Sequence, residues 1–166
     1  GSNRYFCYLL YKPGKRSQHR VTKLTGENRQ EEILTGRVYT PADWYGALYY
    51  AIQPSRKDYV VLGLDFGTNL VSRKIIDVLS FNEDGSIVFG KDILFKNGSP
   101  LYREVIEYSS EGVVSMRFLK KGLIVFDHLD TFSAGSDSEK SKGAGLSFDG
   151  YVYKKGAWTF TEGIDA

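Results

Sequence analysis

Apolar and polar residues alternate in short segments along much of the chain, a pattern with the period of two residues that is typical of β-strands. The clearest alternation lies in residues 59–66, where Val60, Leu62, Leu64 and Phe66 share one face. Residues 44–52 repeat the pattern, and we expect Trp44, Leu48, Tyr50 and Ile52 on the buried face of that segment. The two segments are therefore predicted to be strands.

Turn sequences separate the predicted strands. Residues 82–85 (NEDG) lie between the apolar segments 73–81 and 86–95. Asp-Gly supplies the positive φ that a tight turn needs, so the three segments predict a hairpin. Residues 103–108 and 113–118 are predicted as a further antiparallel pair.

The sequence Lys-Lys-Gly occurs twice, at residues 120–122 and 154–156, and each copy is followed by an apolar segment that ends in Phe. Two copies do not establish a repeat, and a shared hairpin chemistry accounts for both. Between them, residues 131–146 are rich in Ser, Gly and Lys and are predicted to be a mobile loop.

Strands joined by short turns, without long helices between them, predict an all-β fold. We expect an antiparallel meander that forms a sandwich or a barrel, in one domain over residues 1–166. An irregular N-terminal segment, 1–42, contains one strand at 5–11 and precedes the meander at 43–162. At most one short helix is expected, near the N-terminus at residues 27–34.

Composition supports a β-rich globular chain and excludes several classes. The 166 residues include 12 Tyr, 10 Phe and 18 Gly, which favours strands and turns. A single cysteine excludes an intrachain disulfide framework and a cysteine-built zinc site. No apolar segment reaches the roughly 18 residues of a membrane-spanning helix, so we expect a chain that does not span a membrane.

The formal net charge is only +2, which does not by itself indicate a nucleic-acid partner. Residues 12–24 contain five basic residues and no carboxylate. Because this segment lacks interleaved aromatic residues and contains Pro-Gly, we interpret it as a solvated connector and expect no nucleic-acid partner.

One loop resembles a phosphate-binding motif. Residues 60–69 (VVLGLDFGTN) are similar to the first phosphate loop of the actin, sugar-kinase and heat-shock ATPase superfamily, in which the Asp, here Asp65, organises a metal. That fold needs a second phosphate motif and two lobes, for which this chain is too short. We therefore interpret residues 65–69 as a hairpin turn and expect no ATP binding and no cofactor.

Candidate catalytic groups are sparse. Asp127 and His128 lie on opposite faces of a strand, so they do not chelate one ion without a bend, and we assign no metal site and no catalytic residue. Exposed aromatic rings are a different signal, since they stack on glycans or peptides, although a second buried layer also accounts for the aromatic excess. The candidate ligand-binding residues are Trp44, Tyr45, Tyr49, Tyr59, Asp65 and His128.

Several segments resemble an uncharacterised family of β-rich exported proteins of Bacteroides-type bacteria. They include DWYGALYY (43–50), RKIIDVLSF (73–81), EYSSEGVVSMRF (107–118) and FDGYVY (148–153). The resemblance implies a periplasmic or cell-surface location with a removed leader, and no activity or ligand. Gly1-Ser2 is typical of a cloning remnant.

These observations predict a non-catalytic binding or structural module of the cell envelope with a glycan or peptide ligand. The alternative is a hydrolase of an envelope or dietary polymer, with Asp127, His128 or Asp130 at its site.

Overall fold

The computed structural model of the chain describes residues 4–26, 32–129 and 147–165. These residues form strands and no helix, which confirms the predicted all-β class. No helix in this part of the chain is long and apolar enough to cross a membrane. The strands are β1 (Phe6–Tyr11), β2 (Arg20–Thr25), β3 (Leu48–Ser55), β4 (Asp58–Asp65), β5 (Val71–Phe81), β6 (Ile87–Phe89), β7 (Leu94–Lys96), β8 (Ser99–Leu101), β9 (Arg103–Ser109), β10 (Met116–Lys120), β11 (Leu123–Asp127), β12 (Ser147–Lys154) and β13 (Ala157–Asp165).

The strands form three sheets in a sandwich-like arrangement. The central sheet has the order β3-β4-β5-β6, with β9 paired to β5 beside β6. A six-stranded sheet, β10-β11-β12-β13-β7-β8, covers one face of it. The β1–β2 hairpin and residues 33–47, together called the N-terminal layer, cover the other face. All pairings are antiparallel except that of β13 with β7.

The core between the central and six-stranded sheets follows the predicted alternation at Val60 and Leu62, whereas Phe66 lies beyond the end of β4 and is exposed. Val60 and Leu62 of β4 point into it, as predicted, and pack with the buried Ile124, Tyr151 and Trp158 of the facing sheet. On the opposite face, Ile75 and Leu79 of β5 are buried by the N-terminal layer, and Val61 of β4 is buried too, whereas Tyr59 at the start of β4 stays partly exposed. Hydrophobic burial on both faces explains why β4 and β5 contain nearly continuous apolar runs.

Three expectations about the strands are corrected. Residues 103–108 and 113–118 do not pair, because β9 joins β5 in the central sheet and β10 forms a hairpin with β11. Leu48, Tyr50 and Ile52 are exposed, because β3 is an edge strand with a bulge between Tyr49 and Ala51. The basic segment 12–24, interpreted as a connector, contributes β2.

The predicted hairpin turns at 82–85, 120–122 and 154–156 are confirmed by the β5–β6, β10–β11 and β12–β13 pairings. Most of the predicted helix at 27–34 and the predicted loop at 131–146 lie outside the described residues. Residues 32–34 are not helical.

A buried ion pair joins the central sheet to the N-terminal layer. Arg103 of β9 stands opposite Asp77 of β5, and its Nε donates to the Asp77 carboxylate at 3.0 Å. Both side chains are fully buried. Arg103 Nη1 donates to the carbonyl oxygens of Leu34 and Arg37, and Arg103 Nη2 donates to that of Phe89. A buried ion pair is tolerated when its polar atoms are hydrogen-bonded in this way.

Replacing Arg103 by Met would leave the Asp77 carboxylate buried without its counter-ion. We expect the free energy of unfolding to fall by about 3–5 kcal/mol, as measured by urea denaturation. The matched control is Arg117→Met, since Arg117 is exposed on β10, and it should cost less than about 0.5 kcal/mol. A loss below about 1 kcal/mol for Arg103→Met would contradict the structural role of the pair.

Candidate ligand-binding surface

Three of the aromatic candidates form a hydrogen-bonded chain that links the N-terminal layer to the central sheet. Trp44 Nε1 donates to the Tyr49 hydroxyl at 2.9 Å, and the Tyr45 hydroxyl donates to the Asp77 carboxylate at 2.7 Å. Since Tyr45 donates to Asp77, its oxygen accepts from the Tyr49 hydroxyl, 2.7 Å away. The chain therefore ends on the same carboxylate that Arg103 neutralises.

This arrangement gives Trp44, Tyr45 and Tyr49 a structural role. Trp44 and Tyr45 are buried, and the Tyr49 ring stacks on Phe89 with a centroid separation of 5.9 Å. Burial raises the pKa of Tyr45 and of Tyr49 well above the ordinary value of a phenol, and the nearby Asp77 charge raises both further. The three rings therefore fit the alternative considered for the aromatic excess, a second buried layer.

Asp65 lies at the end of β4 and is also buried. Its Oδ2 accepts from Arg73 at 3.2 Å, and its Oδ1 accepts from the Tyr5 hydroxyl and the Gly67 N–H. Gly67 has a φ of +56°, and a Cβ there would lie 2.0 Å from the Val71 carbonyl oxygen. The loop that resembles a phosphate-binding motif is thus a tight β4–β5 connection whose carboxylate is occupied by protein groups.

His128 pairs with a carboxylate that the sequence analysis did not single out. Its Nδ1 lies 2.8 Å from Asp149 Oδ2, while Asp127 accepts from the Ser115 N–H at 2.7 Å. Asp127 and His128 therefore have different partners, as their opposite strand faces predict. Asp130 lies outside the described residues. Within the described part of the chain, no group of three or more His, Cys, Asp and Glu side chains could hold a metal ion.

Tyr59 is the one aromatic candidate that faces an open groove. The groove has a volume of about 380 Å³ and lies between β1 and the central sheet. Its apolar lining includes Leu10, Ile52 and Phe81, and the exposed fractions of Tyr59, Ile52 and Leu10 are 36%, 59% and 70%. The Tyr59 and Phe81 rings meet edge to face with centroids 6.4 Å apart.

One wall of the groove is a strand edge. Residues 9–12, at the end of β1, line the groove, and among the described residues β1 pairs only with β2. None of the described strands therefore lies beside the second edge of β1. The floor includes Ile52 of β3, which is itself the edge strand of the central sheet. An open strand edge beside an apolar floor is the arrangement into which an additional strand fits.

Comparisons of the chain with protein-family models, curated proteins and solved structures gave no match.

Sequence reasoning did not find Asp77 and Arg103, nor Ile52 and Phe81 as groove residues. A charged residue within the apolar segment 73–81 was the available signal for Asp77, because a carboxylate on a buried strand needs a partner. No comparable signal exists for the groove, whose walls come from residues that are distant in the sequence.

The buried phenols predict a loss of stability above pH 10. An unfolded-chain tyrosine ionises near pH 10, whereas Tyr45 and Tyr49 have raised pKa values in the folded state. The contribution of the two tyrosines to the free energy of unfolding is therefore complete below pH 10. It is lost as the pH rises toward the folded-state pKa, by about 1.4 kcal/mol per pH unit for each group. Urea denaturation at several pH values above 10 should show that the free energy of unfolding falls less steeply with pH for Tyr49→Phe than for the wild type.

Tyr8→Phe is the control for this measurement, because the Tyr8 ring is exposed on the outer face of β1. We expect its pH dependence to match that of the wild type. Equal slopes for Tyr49→Phe and the wild type would contradict the assignment of Tyr49 to a buried hydrogen-bonded chain.

Proposed function

We propose that the protein is a non-catalytic binding module of the cell envelope that takes an extended, apolar peptide segment into the groove beside β1. The observation that carries this proposal is that an open strand edge lies beside an exposed apolar floor formed by Ile52 and Tyr59. The envelope location is supported by the resemblance to exported β-rich proteins.

The floor of the groove supplies the affinity. Ile52 lies over the edge of the central sheet, where the N-terminal layer leaves it 59% exposed. Covering apolar surface yields about 25 cal/mol per Å². A ligand that covers Ile52, Tyr59 and Leu10 together is therefore stabilised by the same interaction that buries the neighbouring Leu79 in the folded core.

The edge of β1 supplies orientation. A peptide laid along an open edge extends the β2–β1 ribbon by one strand, and its main-chain groups exchange hydrogen bonds with β1. Alternate side chains of such a strand then point to the same side, toward the floor. The expected ligand is therefore a segment in which every second residue is apolar or aromatic.

The lining of the groove favours a peptide over a glycan, because few of its side chains are polar. Sugar recognition needs several hydrogen-bonding side chains around an exposed ring face. The Tyr11 hydroxyl at this groove already donates to the Gly85 carbonyl oxygen at 3.2 Å. The remaining lining is mainly aliphatic and aromatic, apart from Lys12.

The hydrolase alternative has less support. It places Asp127, His128 or Asp130 at its site, and the Asp127 and His128 side chains are held by different partners, the Ser115 N–H and the Asp149 carboxylate. We therefore do not propose a reaction.

The test uses fluorescently labelled heptapeptides with alternating apolar and polar residues and measures their binding by fluorescence anisotropy. We expect saturable binding that Tyr59→Ala weakens by about tenfold, the loss expected when one well-packed aromatic contact is removed. The matched control is Tyr50→Ala. Tyr50 is an exposed β3 aromatic whose hydroxyl donates to the Met116 carbonyl on the opposite side of the central sheet.

Backbone methylation of the peptide separates strand addition from simple apolar contact. We expect peptides N-methylated at alternate residues, on the edge facing β1, to lose binding, because they cannot donate to the β1 edge. Equal affinity of the methylated and unmethylated peptides would contradict strand addition. A neutral glycan that binds in a Tyr59-dependent way, with no peptide binding, would contradict the peptide assignment.

A further inference from the structure

Three hairpin turns meet at one end of the sandwich. They are the β3–β4, β10–β11 and β12–β13 turns, and contacts link each to the next. The Gly122 N–H donates to Gln53 Oε1 at 3.2 Å, and the Tyr153 N–H donates to the Gly122 carbonyl oxygen at 2.8 Å. The Arg56 guanidinium lies beside Gly156, with Nη1 3.4 Å from the position that a Cβ there would take. We call these three turns, with Lys91, the basic end.

The basic end carries mainly cations. Its exposed turn residues are Arg56, Lys57, Lys120, Lys121, Lys154 and Lys155. Lys91 forms an ion pair with Asp58 at 2.6 Å, so the Asp58 carboxylate is already neutralised. Asp92, in the connection between β6 and β7, is exposed next to Lys91 in the sequence. The six turn cations therefore exceed the carboxylates around them.

The β1–β2 turn lies at the same end of the molecule. The Tyr11 hydroxyl and the Arg20 guanidinium donate to the Gly85 and Asp84 carbonyl oxygens, which places this turn beside the β5–β6 turn. Residues 12–20 add further cations, whereas Glu83 and Asp84 add two carboxylates. The described turns at this end therefore carry more cations than carboxylates.

A hollow of about 380 Å³ opens between the β3–β4 and β12–β13 turns. Arg56, Lys57 and Tyr153 line it together with the Lys91–Asp58 ion pair, so Arg56 and Lys57 are the lining cations without that carboxylate partner. Such a hollow is in the size range of small-ligand sites, and it combines an aromatic ring with cations that pair with a carboxylate or a sulfate.

We infer that the basic end binds an acidic polysaccharide, with one anionic sugar in this hollow and the neighbouring sugars along the lysine turns. The three turn tips, residues 55–58, 120–122 and 154–156, contain no apolar residue that could insert into a lipid surface. Single-stranded nucleic acids are held by successive stacked aromatic rings, and the hollow offers one. The inference is independent of the peptide groove, because it rests on different residues.

Binding of a polyanion to these turns should depend strongly on salt. Each cation that pairs with the polymer releases condensed counter-ions, so affinity falls as ionic strength rises. The probe is polygalacturonate, in which every sugar carries a carboxylate, and neutral dextran is its uncharged counterpart. We expect polygalacturonate to bind at low salt and dextran not to bind.

Two triple variants with the same change in net charge locate the site. Lys57→Glu, Lys121→Glu and Lys154→Glu together reverse one cation on each turn of the basic end. Arg4→Glu, Lys23→Glu and Arg117→Glu together reverse three exposed cations elsewhere. We expect the first triple to weaken polygalacturonate binding by at least about tenfold and to reduce its salt dependence, and the second to change affinity by less than about threefold.

Equal losses in the two triples would overturn the proposal, because they would reduce it to a net-charge effect. Absence of polygalacturonate binding would also overturn it. Tighter binding of phosphatidylglycerol vesicles or of single-stranded DNA, lost in the basic-end triple, would assign the surface to a lipid or a nucleic acid instead. The alternating heptapeptides should bind the basic-end triple as they bind the wild type, so failure of this inference is distinguishable from failure of the peptide groove.

Discussion

Arg103 carries a positive charge into the middle of the protein, where water cannot hydrate it. It is stable there because Asp77 faces it across the β5–β9 ladder and because three carbonyl groups accept hydrogen bonds from its Nη1 and Nη2. Those carbonyls belong to β6 and to the N-terminal layer, so the guanidinium holds both in place on the central sheet. Gly90 follows β6 with a φ of +102°, and a Cβ there would lie 2.4 Å from Arg103 Nη2. The backbone next to Arg103 therefore has room only for glycine.

The same ion pair also explains why aromatic residues lie between the N-terminal layer and the central sheet. Asp77 also accepts from Tyr45, and the chain of hydroxyls runs from Tyr45 through Tyr49 to Trp44. These side chains bind one another and the buried carboxylate of Asp77. The surfaces that we propose for binding lie at the periphery, where the N-terminal layer stops short of β3 and where the hairpin turns end.

Sequence patterns predicted the parts of the candidate surfaces that are formed by residues close together in the chain. The two Lys-Lys-Gly turns were recognised from three residues each, because Gly122 and Gly156 supply the positive φ of a hairpin turn. Tyr59 was named as a binding residue together with Tyr45, although one is exposed and the other buried. The sequence could not separate them, because the burial of Tyr45 depends on Asp77, 32 residues away. Aromatic composition alone does not distinguish a core ring from a binding ring.

The sequence by itself determined the all-β class and the hairpins at 82–85, 120–122 and 154–156, since alternation and turn chemistry act between neighbouring residues. Only the tertiary structure decided that β9 pairs with β5 and not with β10, that a second layer covers the central sheet, and that the lysine turns share one end. These outcomes depend on which distant segments bury the most apolar surface together and leave no buried charge unpaired, as Asp77 and Arg103 illustrate. That balance is a property of the whole packed chain, and no local pattern contains it.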